Sequence, residues 1–148
     1  MERILVAVDG SATSLKAVDF AADLASKYNA DLILLTIPRH VASVVDPAVE
    51  AYARLEHIQG PTSELGLAAA ETMLEEARTE AQARGATRIS AEHSFGDPAE
   101  EIVTVARDRQ ADLVVVGSRG HGRLAGLLLG SVAQKVISLA HCPVVVVR

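Results

Sequence analysis

The sequence predicts an α/β fold: a single domain on an open, five-stranded parallel sheet with helices on both faces. Three observations predict it. Short β-branched apolar runs alternate with longer segments of helical period along the 148 residues, and that alternation implies right-handed crossovers between parallel strands. Four of the five runs are continuously apolar, as strands covered on both faces must be. The length suffices for one sizeable core and is too short for two.

The first strand covers residues 4–8 and ends in Asp9-Gly10-Ser11. A helix follows, with Leu15, Val18, Ala21, Ala22 and Ala25 marking one stripe. Ala30-Asp31-Leu32 leads into the second strand, residues 32–37, and the same tripeptide at Ala111-Asp112-Leu113 leads into the fourth, residues 113–116. Both are read as the same kind of turn. Residues 38–61 break the rhythm: they carry Pro38, Pro47, Gly60 and Pro61 and are too long for an ordinary connection. A flap over a ligand and a surface insertion are the alternatives there.

Leu65, Ala69, Met73, Ala77 and Ala81 recur every four residues and mark a second helix, with Gly85 placed to end it. Residues 88–93 alternate in polarity and read as an edge strand. Asp97 and Pro98 open a third helix as N-cap and first-turn residues, with Glu100 and Glu101 at its positive dipole end. Ser131 opens a short fourth helix that stops before Cys142-Pro143, and Val144 to Val147 form the last strand.

Composition narrows the function. Nineteen Asp and Glu against fourteen Lys and Arg give a net charge of −5, which opposes a nucleic-acid partner, whose phosphates require a basic face. Cys142 is the single cysteine; it excludes an internal disulfide and fits a reducing compartment. No apolar run approaches the roughly 20 residues of a membrane span, and the first strand begins too early to leave room for a leader. A cytoplasmic protein without membrane partners is expected. Aromatics are confined to Phe20, Phe95, Tyr28 and Tyr52, so a bound base would meet aliphatic walls.

In an open parallel sheet, ligands bind beyond the carboxyl ends of the strands, where the strand order reverses. Two such ends carry unusual residues: Asp9-Gly10-Ser11, and the run from Gly117 through Ser118, Arg119, Gly120, His121 and Gly122 to Gly130 and Ser131. Glycines admit close approach of phosphate oxygens to backbone N–H groups. A helix start at Gly130-Ser131 favours negative charge, and Arg119 and Arg123 add positive charge. A flexible loop with an ordinary Gly-Ser cap is the alternative. The Walker loop fails for want of a Lys before Ser131. The dinucleotide fingerprint fails because Gly120-x-Gly122 follows the fourth strand and its next glycine is one position late.

Asp9 could cap the first helix or hold a divalent cation through water. His40, His57, His93, His121 and His141 are scattered, no cluster has metal-ligand spacing, and His121 is read as a bystander. Cys142 reads as a small buried residue rather than a nucleophile.

The pattern that fits is Gly-x2-Gly-x9-Gly-Ser on Gly117, Gly120, Gly130 and Ser131. With the Asp9-Gly10-Ser11 and Gly96-Asp97-Pro98 turns, and the run from Leu129 to Ala133, the sequence resembles the nucleotide-binding branch of the universal stress protein family. The likeness covers the chain apart from residues 38–61. It implies a Rossmann-like fold of the adenine nucleotide alpha hydrolase kind, with strand order 3-2-1-4-5. It implies ATP, ADP or AMP as ligand, with magnesium or manganese on the phosphates. By the same resemblance Gly120, Gly130, Ser131 and Val132 would hold phosphates, and Val116 and Gly117 the ribose. Asp9 and Ile37 would meet the adenine, against a wall from Ala7 or Val8; Pro38 has no N–H, so reading of the base edge would fall to Ile37.

No obvious base sits in the glycine loop, so a nucleotide-dependent switch with slow or absent hydrolysis is expected. A slow ATPase or phosphohydrolase on the same site, and a nucleotide-free interaction module, are the alternatives. Pairing of Val144 to Val147 across a two-fold axis would give a homodimer, with a tetramer as an extension of it. A regulatory protein would read the bound state.

Overall fold

The computed structural model describes residues 1–38, 64–121 and 129–148. The expected flap at 38–61 therefore lies, after Pro38, outside the described residues, as do Gly122 and Arg123. Among the described residues, five strands and four helices alternate: β1 (Arg3–Ala7), α1 (Ala12–Tyr28), β2 (Asp31–Thr36), α2 (Glu64–Ala83), β3 (Ile89–His93), α3 (Pro98–Asp108), β4 (Leu113–Gly117), α4 (Ser131–Leu139) and β5 (Val144–Val147). The strands form one sheet in the order β3-β2-β1-β4-β5, parallel at every pairing. The fold expected from the sequence is the one observed.

Because successive strand residues point to opposite faces, each continuous apolar run feeds two cores. Ile4, Val6 and Val8 join Leu32, Leu34, Leu113 and Val115 beneath α1 and α2. Leu5, Ile33, Leu35, Val114 and Val116 meet Ile102, Val103 and Val136 of α3 and α4 on the other face. The alternation over residues 88–93 predicted an edge strand, and Ile89–His93 form it, with Ser90 and His93 exposed and Arg88 just before it. Glu92 faces α3, where its carboxylate takes Arg109 Nε at 3.1 Å and Nη2 at 2.6 Å.

Two helical stripes need correction. On α1, Leu15 is exposed, while Ser14, Ala17, Val18, Ala21, Ala22 and Ala25 are buried. On α2 the buried residues are Gly66, Ala70, Leu74, Ala77 and Ala81, with Met73 packed against them; Ala69 is exposed, and the side chain of Leu65 lies outside the described residues. Steps of four residues drift by about 40° each around a helix, so five in a row cannot all face one core.

The repeated turn before β2 and β4 is real, and a third copy precedes β3. Asn29 and Gln110 take left-handed φ of 51° and 53°, and Gly85 takes 89°. The next residue in each case, Ala30, Ala111 or Ala86, donates its N–H to the carbonyl five positions back, at 2.8–3.1 Å. This closing turn satisfies carbonyls that the last helical turn leaves open, and it aims the chain into the next strand.

Asp112, one residue past the turn before β4, fastens the start of β1: its Oδ2 accepts from the N–H groups of Glu2 and Arg3 at 2.7 and 2.9 Å. Those bonds hold its carboxyl below the usual carboxylate range. Asp97 is held down likewise, by Lys135 first and then by the Glu100 N–H. A carboxyl depressed in the folded state stabilises the fold above its unfolded pKa, and that contribution disappears as pH falls through the folded value. Thermal unfolding should therefore show an acid loss that begins near pH 4, the unfolded value of an aspartate. The Asp97→Asn/Asp112→Asn double variant, whose amide oxygens still accept, should lose less between pH 5 and pH 2 by that reasoning. Equal losses in both proteins would remove these two groups as the cause.

Candidate functional site

The chain runs from β1 outward to β2 and β3, then returns to the other side of β1 for β4. The reversal between β1 and β4 splays their following loops apart and opens a crevice at the carboxyl ends. A cleft of about 220 Å³ lies there. Ala7, Val8, Asp9, Ile37, Val116, Gly117, Arg119, Gly120, Gly130, Ser131 and Val132 line it. These are all the positions singled out from the sequence except Gly122, which is outside the described residues.

At the end of β1 the chain turns tightly into α1. Asp9 Oδ1 accepts from the Ser11 N–H at 2.8 Å, an Asx turn. The α1 N-cap is Ser11, whose Oγ accepts from the Ser14 N–H at 3.2 Å. Asp9 thus shapes the turn and does not cap the helix, because it lies three residues before Ala12 and its short side chain reaches only two residues on. Ser14, buried at 3% exposure, donates its hydroxyl to Ser11 O at 3.0 Å and accepts from the Asp9 N–H at 3.3 Å.

The loop after β4 is tied to this turn from its own side. Thr13 Oγ1 donates to the Arg119 carbonyl, and Ser11 Oγ donates to the same oxygen at 3.4 Å. His121 Nε2 lies 2.6 Å from Asp9 O; a carbonyl can only accept, so Nε2 carries the hydrogen. The histidine read as a bystander is an anchor. The Ser118 N–H reaches Val147 O at 2.6 Å, and Ser118 O accepts from the Gly130 N–H at 2.7 Å.

That last bond alters the role expected of Gly130. Its N–H is already used, so it offers room and not a donor. It is the N-cap of α4 at φ −71° and ψ 162°, with no side chain to bond the helix start. The first intrahelical bond runs from the Gln134 N–H to Gly130 O at 3.1 Å. The N–H groups of Ser131, Val132 and Ala133 are left without helical partners, and all three residues line the cleft. The other two helix starts in view are closed by side chains: α1 by Ser11, and α3 by Asp97, which accepts from the Glu100 N–H.

Charge distinguishes the two helix starts that flank the cleft. Around the start of α3 stand Asp97, Glu100 and Glu101. Lys135 of α4 is committed to Asp97 at 3.0 Å and Glu100 at 2.9 Å, and both carboxylates raise its ammonium above the ordinary lysine value. Glu101 Oε2 takes the Ser94 hydroxyl at 2.5 Å. These carboxylates close the start of α3 without lining the cleft, so an anion in the cleft is accommodated at α4, where the amides are bare. Toward α3 the wall is apolar, with Ala7, Ile37, Pro98, Ile102 and Val116.

The sequence reading gives Ser118, Leu129 and Ala133 no individual site role and leaves out Ser14. Pro98 is read there only as a first-turn residue, and Ile102 is not singled out. Their i,i+4 spacing on a helix opened at Gly96-Asp97 was the signal that α3 turns one face to the crevice. Cys142 is half-buried; burial, then the Asp112 carboxylate, pushes its thiol up, which opposes a nucleophilic role. Among the described residues no group of three His, Cys, Asp or Glu could hold a metal ion. None of their helices is long and apolar enough to cross a membrane.

The model of the universal stress protein family matches residues 1–148. Universal stress protein YxiE of Bacillus subtilis (strain 168) is 36% identical over 152 aligned residues, covering 99% of this chain and 98% of that protein. Among solved structures, a universal stress protein in complex with cAMP aligns at TM-score 0.70 and 32% identity, over 99% of this chain and 96% of that one. UspA from Lactobacillus plantarum has the same fold at TM-score 0.79 and 24% identity, over 99% and 97% of the two chains.

Proposed function

The chain belongs to the universal stress protein family, and from that premise we propose that its cleft binds an adenine nucleotide, ATP, ADP or AMP, as a regulatory switch. The observation that carries this reading is the polarity of the cleft. One end is aliphatic, and the other presents the bare N–H groups of α4 beside Gly120. A nucleotide has the same polarity, with a flat apolar base at one end and phosphate oxygens at the other. The base lies toward Ile37, Pro98 and Ile102; the phosphates lie toward Gly120, Ser131 and Val132. Ile37 is one residue past the last paired residue of β2, Thr36, and ahead of Pro38, so its peptide groups serve the base edge. The 32%-identical relative in complex with cAMP supports the ligand class.

Hydrolysis is slow or absent in this reading. Asp9 is the one carboxylate among the described lining residues, and its Oδ1 is engaged by the Ser11 N–H, whereas rapid hydrolysis needs a group that orients water at the terminal phosphate. Magnesium or manganese would arrive on the phosphates, with Asp9 as the acidic group facing it. The single cysteine suits a cytoplasmic setting. Occupancy of the cleft changes which regulatory protein the molecule meets.

Native mass spectrometry of the purified protein, followed by calorimetric titration with ATP, AMP and cAMP with and without magnesium, tests the reading. A retained nucleotide mass or micromolar binding is the expected result. Absence of both, in protein shown to be folded, would sink it.

The same proposal extends to assembly. Strand β5 is an edge, and all four of its valines are half-buried. Pairing of Val144–Val147 with a second copy covers that edge, giving a homodimer and, by further association, a tetramer. Removal of residues 143–148 should leave monomers or aggregates in sedimentation; a well-folded dimer would exclude this edge as the interface.

A further inference from the structure

Thr13 does not line the cleft, yet its hydroxyl holds the carbonyl of Arg119, which does. We infer that Thr13 is a positioning residue: its hydroxyl turns the Arg119–Gly120 peptide so that the Gly120 N–H faces the phosphate of a bound nucleotide. The inference rests on the nucleotide reading of the cleft and adds to it the element that orients a donor.

The argument is one of peptide geometry. In a trans peptide the C=O and N–H point in opposite directions, and no cis bond occurs among the described residues. The Arg119 oxygen is drawn toward the start of α1 by Thr13 Oγ1 and by Ser11 Oγ at 3.4 Å. The Gly120 N–H is thereby directed away from α1. The bare start of α4 lies close to this peptide: a Cβ added to Gly130 would lie 3.9 Å from Gly120 N and 3.5 Å from Arg119 Cα. Glycine at 130 leaves this space open, so a phosphate oxygen there could meet the Gly120 amide together with the α4 amides.

Both neighbours of the peptide are pinned. Ser118 O accepts from the Gly130 N–H at 2.7 Å, and His121 Nε2 is bound to Asp9 O at 2.6 Å. Thr13 is itself fixed in the first turn of α1. What remains free to rotate, once its carbonyl is released, is the Arg119–Gly120 plane. A flip would replace a donor with a carbonyl oxygen facing an anion, so the hydroxyl selects between attraction and repulsion at one spot.

The experiment compares wild type with Thr13→Val, which keeps the shape and loses the hydroxyl, and with Thr13→Ser, which keeps the hydroxyl. Calorimetry gives the ratio of affinities for AMP over adenosine, and ¹⁵N-resolved NMR follows the Gly120 amide during titration with ATP and with inorganic pyrophosphate. The ratio should fall about tenfold in Thr13→Val, the worth of one charge-assisted hydrogen bond. It should return in Thr13→Ser, and the Gly120 amide should respond to phosphate only where the hydroxyl is present. Should Thr13→Val fold poorly, Thr13→Ala supplies the same comparison.

An unchanged ratio with an unchanged Gly120 response in Thr13→Val overturns the inference while leaving the nucleotide reading intact. Wild type that binds no nucleotide fails the nucleotide reading instead. Pyrophosphate then decides: a Gly120 response lost in Thr13→Val upholds the positioning role, and no response in wild type overturns it.

Discussion

Gly117→Ala should destabilise the protein by about 2–3 kcal/mol, the upper range for forcing a methyl group into a packed site, and lower Tm by roughly 6–10 °C at this chain length. The position is not one of unusual backbone conformation; its constraint is space. A Cβ there would sit 2.7 Å from Thr13 Oγ1, 2.9 Å from Ser14 N and 2.9 Å from Thr13 C. Two of those three atoms are backbone, so relief requires moving the first turn of α1 away from the end of β4. That turn holds the Ser11 cap, the Asp9 turn and the Thr13 bond to Arg119 O. The variant should therefore lose nucleotide affinity along with stability. Urea melts and calorimetric titration check the two effects. A Tm within 2 °C of wild type would show that α1 adjusts freely, against the packing cost expected here.

Gly117 also marks how far the sequence could be read. The strands were legible because burial on both faces leaves them continuously apolar, and residues 88–93 declared themselves an edge by alternating. The two loops of the crevice were legible because both carry glycines at strand ends, one beside Asp9 and the other beside Arg119. What the letters could not convey is distance. Gly117 was assigned to the ribose by resemblance, and the structure adds that the start of α1 abuts it. Ala69 was wrongly included in the α2 stripe, while Ala77 and Ala81 are buried as expected; an alanine-rich helix gives weak contrast between faces, so a run of four-residue steps looked like a stripe. Pro98 and Ile102 were hidden because a first-turn proline and a core residue have the same letters whether or not a ligand passes beside them. His121 was hidden because its partner is a backbone carbonyl 112 positions away, and a carbonyl leaves no mark in the sequence.

Three helix starts now make one argument about where function sits. Ser11 and Asp97 close α1 and α3 in the way that stabilises helices generally. Gly130 leaves α4 open, although its φ of −71° and ψ of 162° are those of an ordinary N-cap that any capping residue could adopt. A fold optimised for stability alone would place Ser, Asp or Asn there. The missing cap is consistent with a site that keeps its amides for a ligand.

The second large effect follows from that choice. Gly130→Asp should raise the stability of the nucleotide-free protein while abolishing binding. A carboxylate at 130 can accept from the N–H groups of Val132 or Ala133, which an N-cap glycine leaves unbonded, and it suits the positive end of the helix; together these are worth about 0.5–1 kcal/mol. The backbone needs no change, and the nearest neighbours of the new Cβ, Ser118 O at 3.4 Å and Arg119 Cα at 3.5 Å, are at ordinary contact distance. The same carboxylate occupies the amides that a phosphate would use and repels its charge, so affinity for ATP should fall at least about a hundredfold, as expected when several charge-assisted bonds are lost at once. Gly130→Ala separates the two effects: it adds the methyl group without the charge, and should cost a few tenths of a kcal/mol of helix stability with a smaller loss of affinity. A thermal melt and a titration on each variant give the answer. If Gly130→Asp is less stable than wild type, the helix start is engaged by something other than solvent. If it is more stable and still binds ATP tightly, the phosphates lie elsewhere.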